Sequence, residues 1–274
     1  MAIKAYKPTT SGIRGMTVVD YSVLTKKRPE KTLIERLVRQ SGRDTTGKVS
    51  VRHRGGGVKR FYRLVELGPT KFFKGEVKSI EYDPNRSAFI SLVVAPEGQK
   101  YYILAPQEIK LGDQVEYAEK TEPKSGNRMK LRHIPLGINI HNVELIPAQG
   151  GRLARAAGSY TQILAKEGDY ATLRLPSGEV RKVHLDCYGS IGTLSNPDRK
   201  SQVIGKAGRM RLMGWRPTVR GKAMHPAAHP HGGGEGVNPI GLRFPKTFTG
   251  KPARGIKTRR PRKLSNRFII KRRK

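Results

Sequence analysis

The uneven distribution of charge along this 274-residue chain constrains its folding more than any other sequence feature. Residues 1–63 hold 16 basic and 4 acidic side chains, residues 64–198 hold 17 and 16, and residues 199–274 hold 22 and 1. An excess of like charge repels itself in a compact state unless an anionic partner neutralises it. We therefore expect an ordinary globular centre between two basic extensions that bind a polyanion.

The partner that this charge implies is a nucleic acid. The formal net charge is +34, and nucleic acids and anionic membrane surfaces are the candidates that would neutralise it. No apolar run approaches the length of a membrane span, and no basic amphipathic helix of useful length appears. We predict a nucleic-acid partner and no membrane contact.

The chain contains a single cysteine, Cys187. A disulfide within the chain is therefore impossible, and a structural zinc site of the cysteine type is excluded. The first six residues lack the apolar stretch of a secretory signal. These features favour a reducing, cytoplasmic compartment.

The near-neutral centre has the pattern of an all-β protein. Turn signals rich in Gly, Pro and Asp separate short strand-like runs, a spacing typical of small antiparallel barrels. The connector-like segment Thr121–Arg128 divides these runs, so we predict two barrels, at residues 64–125 and 126–198. The predicted strands are Val77–Tyr82, Ala88–Val94, Lys100–Leu104, Gln114–Tyr117, Asn142–Ile146, Tyr160–Ala165, Tyr170–Leu175 and Glu179–Leu185.

The N-terminal extension, residues 1–63, contains one stretch with helical periodicity. The apolar side chains of Lys31–Gln40 fall on one face, which predicts a helix that packs locally.

The C-terminal extension, residues 199–274, includes 11 Gly and 7 Pro and has few apolar runs. Such a segment cannot bury enough surface to offset its conformational entropy. We expect it to be irregular, disordered when free and ordered by its partner.

The first candidate interface motif is Arg52–Arg60, in which five potential cations flank three consecutive glycines. Glycine lets a backbone approach phosphate closely, and its amide can then donate to a phosphate oxygen. The alternative is a solvated charge run, which is common when such a run is isolated. A second cluster of similar composition favours the phosphate interpretation.

That second cluster, Arg216–Gly236, contains three of the seven histidines. A His-x-His pair such as His229 and His231 can bind metal, and histidine can act as a general base near neutral pH. However, no cysteine is available, Glu235 is the only nearby acid, and the flanks are cationic, which disfavours a divalent ion. We predict an ordered loop whose histidines stack on or hydrogen-bond to RNA.

The segment Gly42–Lys48 matches the Gly-x4-Gly-Lys part of a phosphate-binding loop. Val49 follows where that motif has the hydroxyl that holds magnesium, and no strand–loop–helix context surrounds the segment. We interpret it as part of the basic extension and predict no nucleotide hydrolysis.

Seven segments of the chain are informative in combination: Arg52–Gly57, Glu81–Ala88, Tyr102–Pro106, His141–Glu144, Gly151–Arg155, Arg216–Gly221 and His229–Gly236. In this order they resemble the universal ribosomal protein L2 family of the large subunit, and the resemblance runs essentially from end to end. Several of the segments are too long for a chance match.

The resemblance implies an OB-fold-like barrel followed by an SH3-like barrel, with both extensions threading into large-subunit RNA. It implies that Arg86 and Arg155 contact RNA, since they match arginines of the family's Asp-Pro-Asn-Arg and Leu-Ala-Arg motifs. It also implies that the histidine loop lies toward the peptidyl-transferase region, where His229 matches a histidine linked to full activity and subunit joining. The family supports that RNA active site and is not itself the catalyst.

The chain departs from the common bacterial pattern inside this loop. Where the family usually has Val-Asp-His-Pro-His, this chain has Ala227-Ala228-His229-Pro230-His231. An Asp–His proton relay therefore lacks its aspartate, which favours a structural role for His229. The stretch after Gly236 is also short, so family contacts there transfer poorly.

The residues and the resemblance together predict a structural component of the large ribosomal subunit that binds large-subunit (23S-type) rRNA and supports subunit association and the peptidyl-transferase centre. The predicted partners are this rRNA, other ribosomal proteins and the small subunit, without homo-oligomers, in cytoplasmic or alternatively organellar ribosomes. We predict no enzymatic activity and no cofactor beyond Mg2+ associated with the RNA. The alternatives are a general nucleic-acid architectural protein and an enzyme that uses the histidine loop.

The candidate RNA-binding residues are cations, together with glycines and histidines of the two clusters. At the C-terminal end they form a plain polycation, which a localisation signal would also resemble. The set is Arg52, His53, Arg54, Gly55, Gly56, Gly57, Lys59, Arg60, Arg86, Arg152, Arg155, Lys206, Arg209, Arg211, Arg216, Arg220, Lys222, His225, His229, His231, Gly232, Gly233, Gly234, Lys257, Arg259, Arg260, Arg262 and Lys263.

Overall fold

The computed structural model describes residues 3–25, 28–68 and 72–273. The chain divides into two compact units. The first comprises residues 1–38, 59–209 and 267–274, and the second comprises residues 39–58 and 210–266. The strands named below all belong to the first unit.

The N-terminal extension contributes two short antiparallel ladders. Strand β1 (Ile3–Ala5) pairs with β2 (Thr17–Val19), and the four-residue helix α1 (Ser11–Arg14) lies between them. Strand β3 (Ile34–Arg36) pairs with β4 (Phe61–Arg63). The first ladder closes residues 3–19 into a hairpin-like loop, and the second joins the middle of the N-terminal extension to its end.

The helix predicted at Lys31–Gln40 is wrong. A 3-10 turn at Lys31–Leu33 leads directly into β3, where Ile34 pairs with Arg63. Leu33 packs against a buried cluster on the first barrel instead of against a helical neighbour. Pairing and packing with distant residues therefore outweigh the local helical pattern, because helix propensity is a weak preference.

The first barrel is antiparallel and is buried on both faces of its central strands. Val77 and Val93 belong to the inner cluster, whereas Ile90 and Leu92 belong to a second cluster on the opposite face. Strand β6 (Ile90–Val94) is therefore a nearly continuous apolar run, as expected for a strand without a solvent face. The strands are β5 (Phe73–Glu81), β6 (Ile90–Val94), β7 (Lys100–Leu104) and β8 (Gln114–Tyr117), and β5 pairs with β6 and β8 while β6 pairs with β7.

The second barrel has six strands, all antiparallel, which lie in the order β15 (Val180–His184), β14 (Tyr170–Arg174), β13 (Thr161–Glu167), β10 (Asn139–His141), β16 (Tyr188–Ile191) and β9 (Arg128–Lys130). Cys187 lies in its core, where burial raises the pKa of the thiol to about 12. The elements are β9 (Arg128–Lys130), a 3-10 turn (Leu131–His133), β10 (Asn139–His141), the two-strand ladder of β11 (Val143–Glu144) and β12 (Gly151–Leu153), β13 (Thr161–Glu167), β14 (Tyr170–Arg174), β15 (Val180–His184) and β16 (Tyr188–Ile191).

The predicted connector Thr121–Arg128 is shorter than predicted, because its last residue already belongs to a strand. Arg128 begins β9 and is buried, and it pairs in parallel with Tyr117 of β8. One hydrogen-bonded sheet therefore runs through both barrels. A buried arginine has no apolar signature in the sequence, which is why this strand was missed.

Most of the C-terminal extension is irregular, as predicted. A 3-10 turn at Pro197–Ser201 leads into it, and it holds the helix α2 (Ala207–Leu212) and 3-10 turns at Gly221–Ala223 and Leu264–Phe268. Its end differs from the prediction, because strand β17 (Ile269–Lys271) pairs antiparallel with β15. The apolar pair Ile269 and Ile270 is the only sequence signal for this strand, and it is short.

The all-β fold class is confirmed. Strands form at all eight predicted positions, although β5 begins four residues earlier, at Phe73, and the strand predicted at Asn142–Ile146 is only Val143–Glu144. The predicted domain boundaries at residues 63, 125 and 198 stay predictions. None of the helices in the described ranges is both long and apolar enough to cross a membrane.

Candidate nucleic-acid interface

In the second unit, the first predicted basic segment runs antiparallel to residues 212–216, which lead into the second predicted segment at Arg216. The backbone N–H of Gly55 donates to the carbonyl oxygen of Gly214 at 2.9 Å. The backbone N–H of Arg216 donates to the carbonyl oxygen of His53 at 3.0 Å. More than 150 residues separate these partners along the chain. The fold thus places the first predicted segment against the residues that lead into the second.

Arginine–aromatic stacks fix two cations on this surface. The guanidinium carbon of Arg54 lies 3.8 Å from the centroid of the Trp215 ring, and that of Arg52 lies 4.1 Å from the Phe248 centroid. A guanidinium over an aromatic face is held by the ring quadrupole and keeps its N–H edges available. Because both arginines are exposed, these edges can reach a phosphate.

The close approach of the two segments depends on Gly57. Its φ is +63°, and a Cβ at this position would lie 2.7 Å from the carbonyl oxygen of Leu212. The neighbouring Val58 N–H donates to that same oxygen at 2.9 Å. The carbonyl of Gly57 accepts from Nη1 of Arg39 at 2.6 Å. Sequence reasoning missed Arg39, whose only signal was its position in a basic extension.

The histidine loop is closed by its own imidazole rings. Nδ1 of His229 accepts the backbone N–H of His231 at 3.0 Å, and Nε2 of His231 accepts the backbone N–H of Lys246 at 2.9 Å. Nδ1 of His225 accepts the Ala227 N–H at 3.2 Å. An imidazole nitrogen that accepts a hydrogen bond offers no free lone pair to a metal or a proton. The geometry therefore gives these nitrogens a structural role.

Glycines let the loop pack against the histidines. A Cβ on Gly221 would lie 2.5 Å from Cε1 of His229, so the ring rests directly on the glycine backbone. Gly233 and Gly234 have φ values of +89° and +69° and face a cavity of about 230 Å³ that Lys222 also lines. The Gly233 N–H already donates to the Met224 carbonyl oxygen at 3.1 Å, and Nζ of Lys222 donates to the Val237 carbonyl oxygen at 3.1 Å, so these groups hold the loop together.

The metal interpretation of this loop gains no support from the geometry. Within residues 3–25, 28–68 and 72–273, no three side chains of His, Cys, Asp or Glu come together as ligands for a metal ion. Glu235 does not join the histidines in such a group.

The C-terminal polycation forms its own concave surface in the second unit. Nε of Arg259 donates to Oδ1 of Asn266 at 2.7 Å, and its Nη2 donates to Oγ of Ser265 at 2.9 Å. Arg259, Arg260, Arg262 and Lys263 line a cavity of about 610 Å³. The polycation thus has a defined concave shape, which its composition did not predict.

Arg86, the arginine of the Asp-Pro-Asn-Arg segment, is largely buried, unlike the exposed Arg52 and Arg54. Arg86 is only 15% exposed, and its Nε lies 3.0 Å from Oδ2 of the buried Asp83. Its Nη2 donates to the carbonyl of Arg63 at 3.3 Å, while Arg60 Nη1 donates to the carbonyl of Pro84 at 3.0 Å. Arg86 therefore holds its loop against β4, which leaves little of its side chain for RNA.

The remaining predicted cations are mostly on the surface, and their RNA contacts stay a prediction. Arg152 and Arg155 are exposed around a turn in which Ala154 has φ +50° and accepts the Asn142 N–H at 3.1 Å. Arg209 and Lys222 are half-buried. The other exposed members are Lys59, Lys206, Arg211, Arg216, Arg220 and Lys257.

Comparison with models of protein families identifies the family to which this chain belongs. Residues 30–117 match the model described as Ribosomal Proteins L2, RNA binding N-terminal domain. Residues 124–250 match the model described as Ribosomal Proteins L2, C-terminal domain. The chain belongs to the ribosomal protein L2 family. It is therefore a ribosomal protein with an RNA-binding N-terminal domain.

The L2 family match also fits the two barrels. The first barrel and the Arg52–Arg60 motif fall within the matched N-terminal domain, and the second barrel and the histidine loop fall within the matched C-terminal domain. The architecture is that of an OB-fold-like barrel followed by an SH3-like barrel, as the resemblance implied.

Proposed function

We propose that the chain is a structural component of the large ribosomal subunit that binds large-subunit (23S-type) rRNA. The observation that carries this proposal is the paired surface of the second unit, where Arg54 and Arg52 are stacked on aromatic rings beside close-packed glycines. A guanidinium that is already fixed loses less side-chain entropy when it binds phosphate. The surface is thus preorganised for an RNA backbone.

The histidine loop supports the peptidyl-transferase centre and subunit association as a fixed structural element. Its hydrogen bonds within the loop support positioning by His229 and give no support to acid–base chemistry. The partners under this proposal are large-subunit rRNA, neighbouring ribosomal proteins and the small subunit, with Mg2+ arriving only with the RNA. The protein acts in ribosomes, cytoplasmic or organellar, as a monomer and without catalysis of its own.

Binding is expected to depend steeply on salt, because each neutralised phosphate releases counterions. A protein with about 6–10 phosphate contacts loses roughly 10³–10⁵ in affinity between 50 and 200 mM salt. Filter binding of the full chain to large-subunit rRNA, small-subunit rRNA and duplex DNA across this range tests the proposal. The proposal expects a strong preference for large-subunit rRNA, and equal affinity for duplex DNA would favour a general architectural protein.

A matched pair of variants assigns the binding to the paired surface. Arg54→Ala should weaken rRNA binding and reduce the salt slope by about 1. Lys124→Ala removes the same charge from an exposed site that is paired with Glu122. An equal loss in both variants would mean that only the net charge matters, which contradicts a specific surface.

A further inference from the structure

The first unit contains a concavity that the interface described above does not include. Its volume is about 590 Å³, within the range of roughly 300–1,000 Å³ that small-molecule sites occupy. It lies where the N-terminal extension crosses the end of β5. The lining residues that matter to its chemistry are Tyr21, Thr25, Arg63, Glu81, Tyr82 and Arg209.

Two tyrosines form the aromatic wall. The rings of Tyr21 and Tyr82 meet edge to face with centroids 5.6 Å apart, and Tyr21 also contacts the buried Phe89 at 6.1 Å. Tyr21 is therefore anchored to the core, whereas Tyr82 is 45% exposed. A half-exposed ring at the edge of a cavity is a stacking surface for a nucleobase.

The polar floor of the concavity is the carboxylate of Glu81, which hydrogen bonds hold in a fixed orientation. Glu81 is 4% exposed, and its carboxylate oxygens accept the hydroxyls of Ser79 at 2.9 Å and Tyr102 at 2.8 Å. The Tyr102 oxygen in turn accepts the Glu30 N–H at 2.8 Å. Since a carboxylate has about four lone-pair directions, two hydrogen bonds leave Glu81 with acceptor capacity.

The surroundings of the concavity are cationic. Arg63 is only 9% exposed and lines the concavity, and Arg209 also lines it. Burial raises the pKa of the Tyr82 hydroxyl, so this ring stays uncharged. A ligand with an aromatic ring and a phosphate meets stacking, an acceptor and cations together.

We propose that this concavity, the Tyr82 pocket, takes one unstacked guanine of the bound RNA. The base stacks on Tyr82, its N1–H and N2 amino group donate to Glu81, and its phosphate lies near the arginines. Guanine is favoured because its Watson–Crick edge has two adjacent donors, which match an acceptor-only carboxylate. This inference rests on the proposed function, since rRNA supplies the base.

The test uses the full chain bound to large-subunit rRNA. Ultraviolet crosslinking followed by peptide mass spectrometry should find a guanosine adduct on the peptide that carries Tyr82 or Tyr21. Kethoxal, which modifies the Watson–Crick edge of unpaired guanine, should find one guanine that the wild-type chain protects. Tyr82→Leu and Glu81→Gln should each restore its reactivity, and Tyr82→Leu should weaken rRNA binding about 5- to 150-fold.

Tyr160→Leu is the matched control, because Tyr160 is 44% exposed on the second barrel. It should leave the protection intact. Wild-type binding of rRNA without an adduct in the pocket, and with the same kethoxal pattern for Tyr82→Leu, would overturn the pocket and leave the proposed function standing. Failure of the wild-type chain to bind rRNA would instead overturn the proposed function.

A second arm distinguishes RNA from a free nucleotide as the source of the base. Guanosine monophosphate is titrated into the free chain by calorimetry. Weak or absent binding, together with protection in the rRNA complex, supports an RNA base. Tight binding that Tyr82→Leu abolishes, without any protected guanine in rRNA, would overturn the assignment to RNA.

Discussion

At the scale of single residues, the charged pair inside the second barrel is the strongest structural constraint. Arg128 and Glu144 are 1% and 0% exposed, and Nη2 lies 3.1 Å from Oε1. Arg128 Nη1 also donates to the carbonyl of Asn142 at 2.7 Å, and Glu144 Oε2 accepts the Tyr188 N–H at 3.1 Å. The pair thereby links β9, β11 and β16, and each charge is buried only because the other is present.

Removal of one partner should therefore destabilise the first unit strongly. Arg128→Met leaves Glu144 without its counterion and should lower the free energy of unfolding by about 3–5 kcal/mol. The double variant Arg128→Met with Glu144→Met should recover most of that loss. Urea denaturation measures both, and a single variant as stable as the wild type would contradict the account.

The exposed pair of Lys124 and Glu122 is the control for that experiment. Its side chains are 73% and 71% exposed. Solvent screens such a pair, so Lys124→Ala should leave the urea midpoint unchanged.

His141 makes stability depend on pH. Burial lowers the pKa of its imidazole to about 4, and the ring packs with Nδ1 2.9 Å from the Gly192 carbonyl. The unfolded state, with the ordinary pKa near 6.5, therefore binds more protons than the folded state between these values. The neutral, buried His141 therefore contributes about 3 kcal/mol to the free energy of unfolding. This contribution is fully present above pH 6.5 and is lost as the pH falls toward 4.

Urea unfolding of the wild type and of His141→Asn across pH 4–8 tests this prediction. The wild type should lose more stability than the variant between pH 6.5 and 4, and the two should have parallel profiles above pH 7. Parallel profiles throughout would show that His141 does not titrate differently on folding.

At the scale of elements, a comparison of two glycines with positive φ distinguishes the effect of backbone strain from the effect of close packing between segments. Gly57 has φ +63° and a hypothetical Cβ clash with Leu212, whereas Gly47 has φ +80° and no atom within 4 Å. An alanine at either site is strained by roughly 1–2 kcal/mol. Only Gly57→Ala should also push the two basic segments apart.

Amide hydrogen exchange of Gly55 and Val58, which donate across the two segments, measures this separation. Exchange should accelerate in Gly57→Ala and stay close to wild type in Gly47→Ala. Equal acceleration in both variants would attribute the effect to backbone strain alone.

The histidine loop allows a test of positioning against acid–base chemistry. In His229→Asn, the amide oxygen can accept the His231 N–H that Nδ1 accepts now, but the side chain cannot exchange a proton near neutral pH. We expect His229→Asn to keep slow exchange at His231 and normal incorporation into large subunits, and His229→Ala to lose both. Equal defects in Ala and Asn variants would contradict a positioning role.

Elements that depend on local pattern were predictable from the sequence, and elements that depend on distant partners were not. Strands β7 and β8 have the predicted bounds, because β-favouring aromatic and aliphatic residues and flanking turns specify them. The helix at Lys31–Gln40 was wrong and β9 was missed, because β3 pairs with β4 and Arg128 finds Glu144 only in the folded chain. The pairing of Gly55 with Gly214 had no local signal at all.

At the scale of the whole molecule, the uneven distribution of charge along the sequence corresponds to the division of the chain into barrels and a basic second unit. The strands β5 to β16 of the two barrels lie between residues 73 and 191, within the near-neutral region, and the second unit consists only of residues from the two basic extensions. Its composition allows little apolar burial, so its order is expected to increase when phosphates neutralise its cations. Under the proposed function, the barrels supply the scaffold and the extensions supply most of the phosphate contacts.

A structural role in the large subunit can be measured by sedimentation of a cell lysate in magnesium-containing buffer. We expect the chain to co-migrate stoichiometrically with large subunits and whole ribosomes and to remain there after a moderate salt wash. A chain found mainly at the top of the gradient, or with DNA, would contradict a structural role in the large subunit.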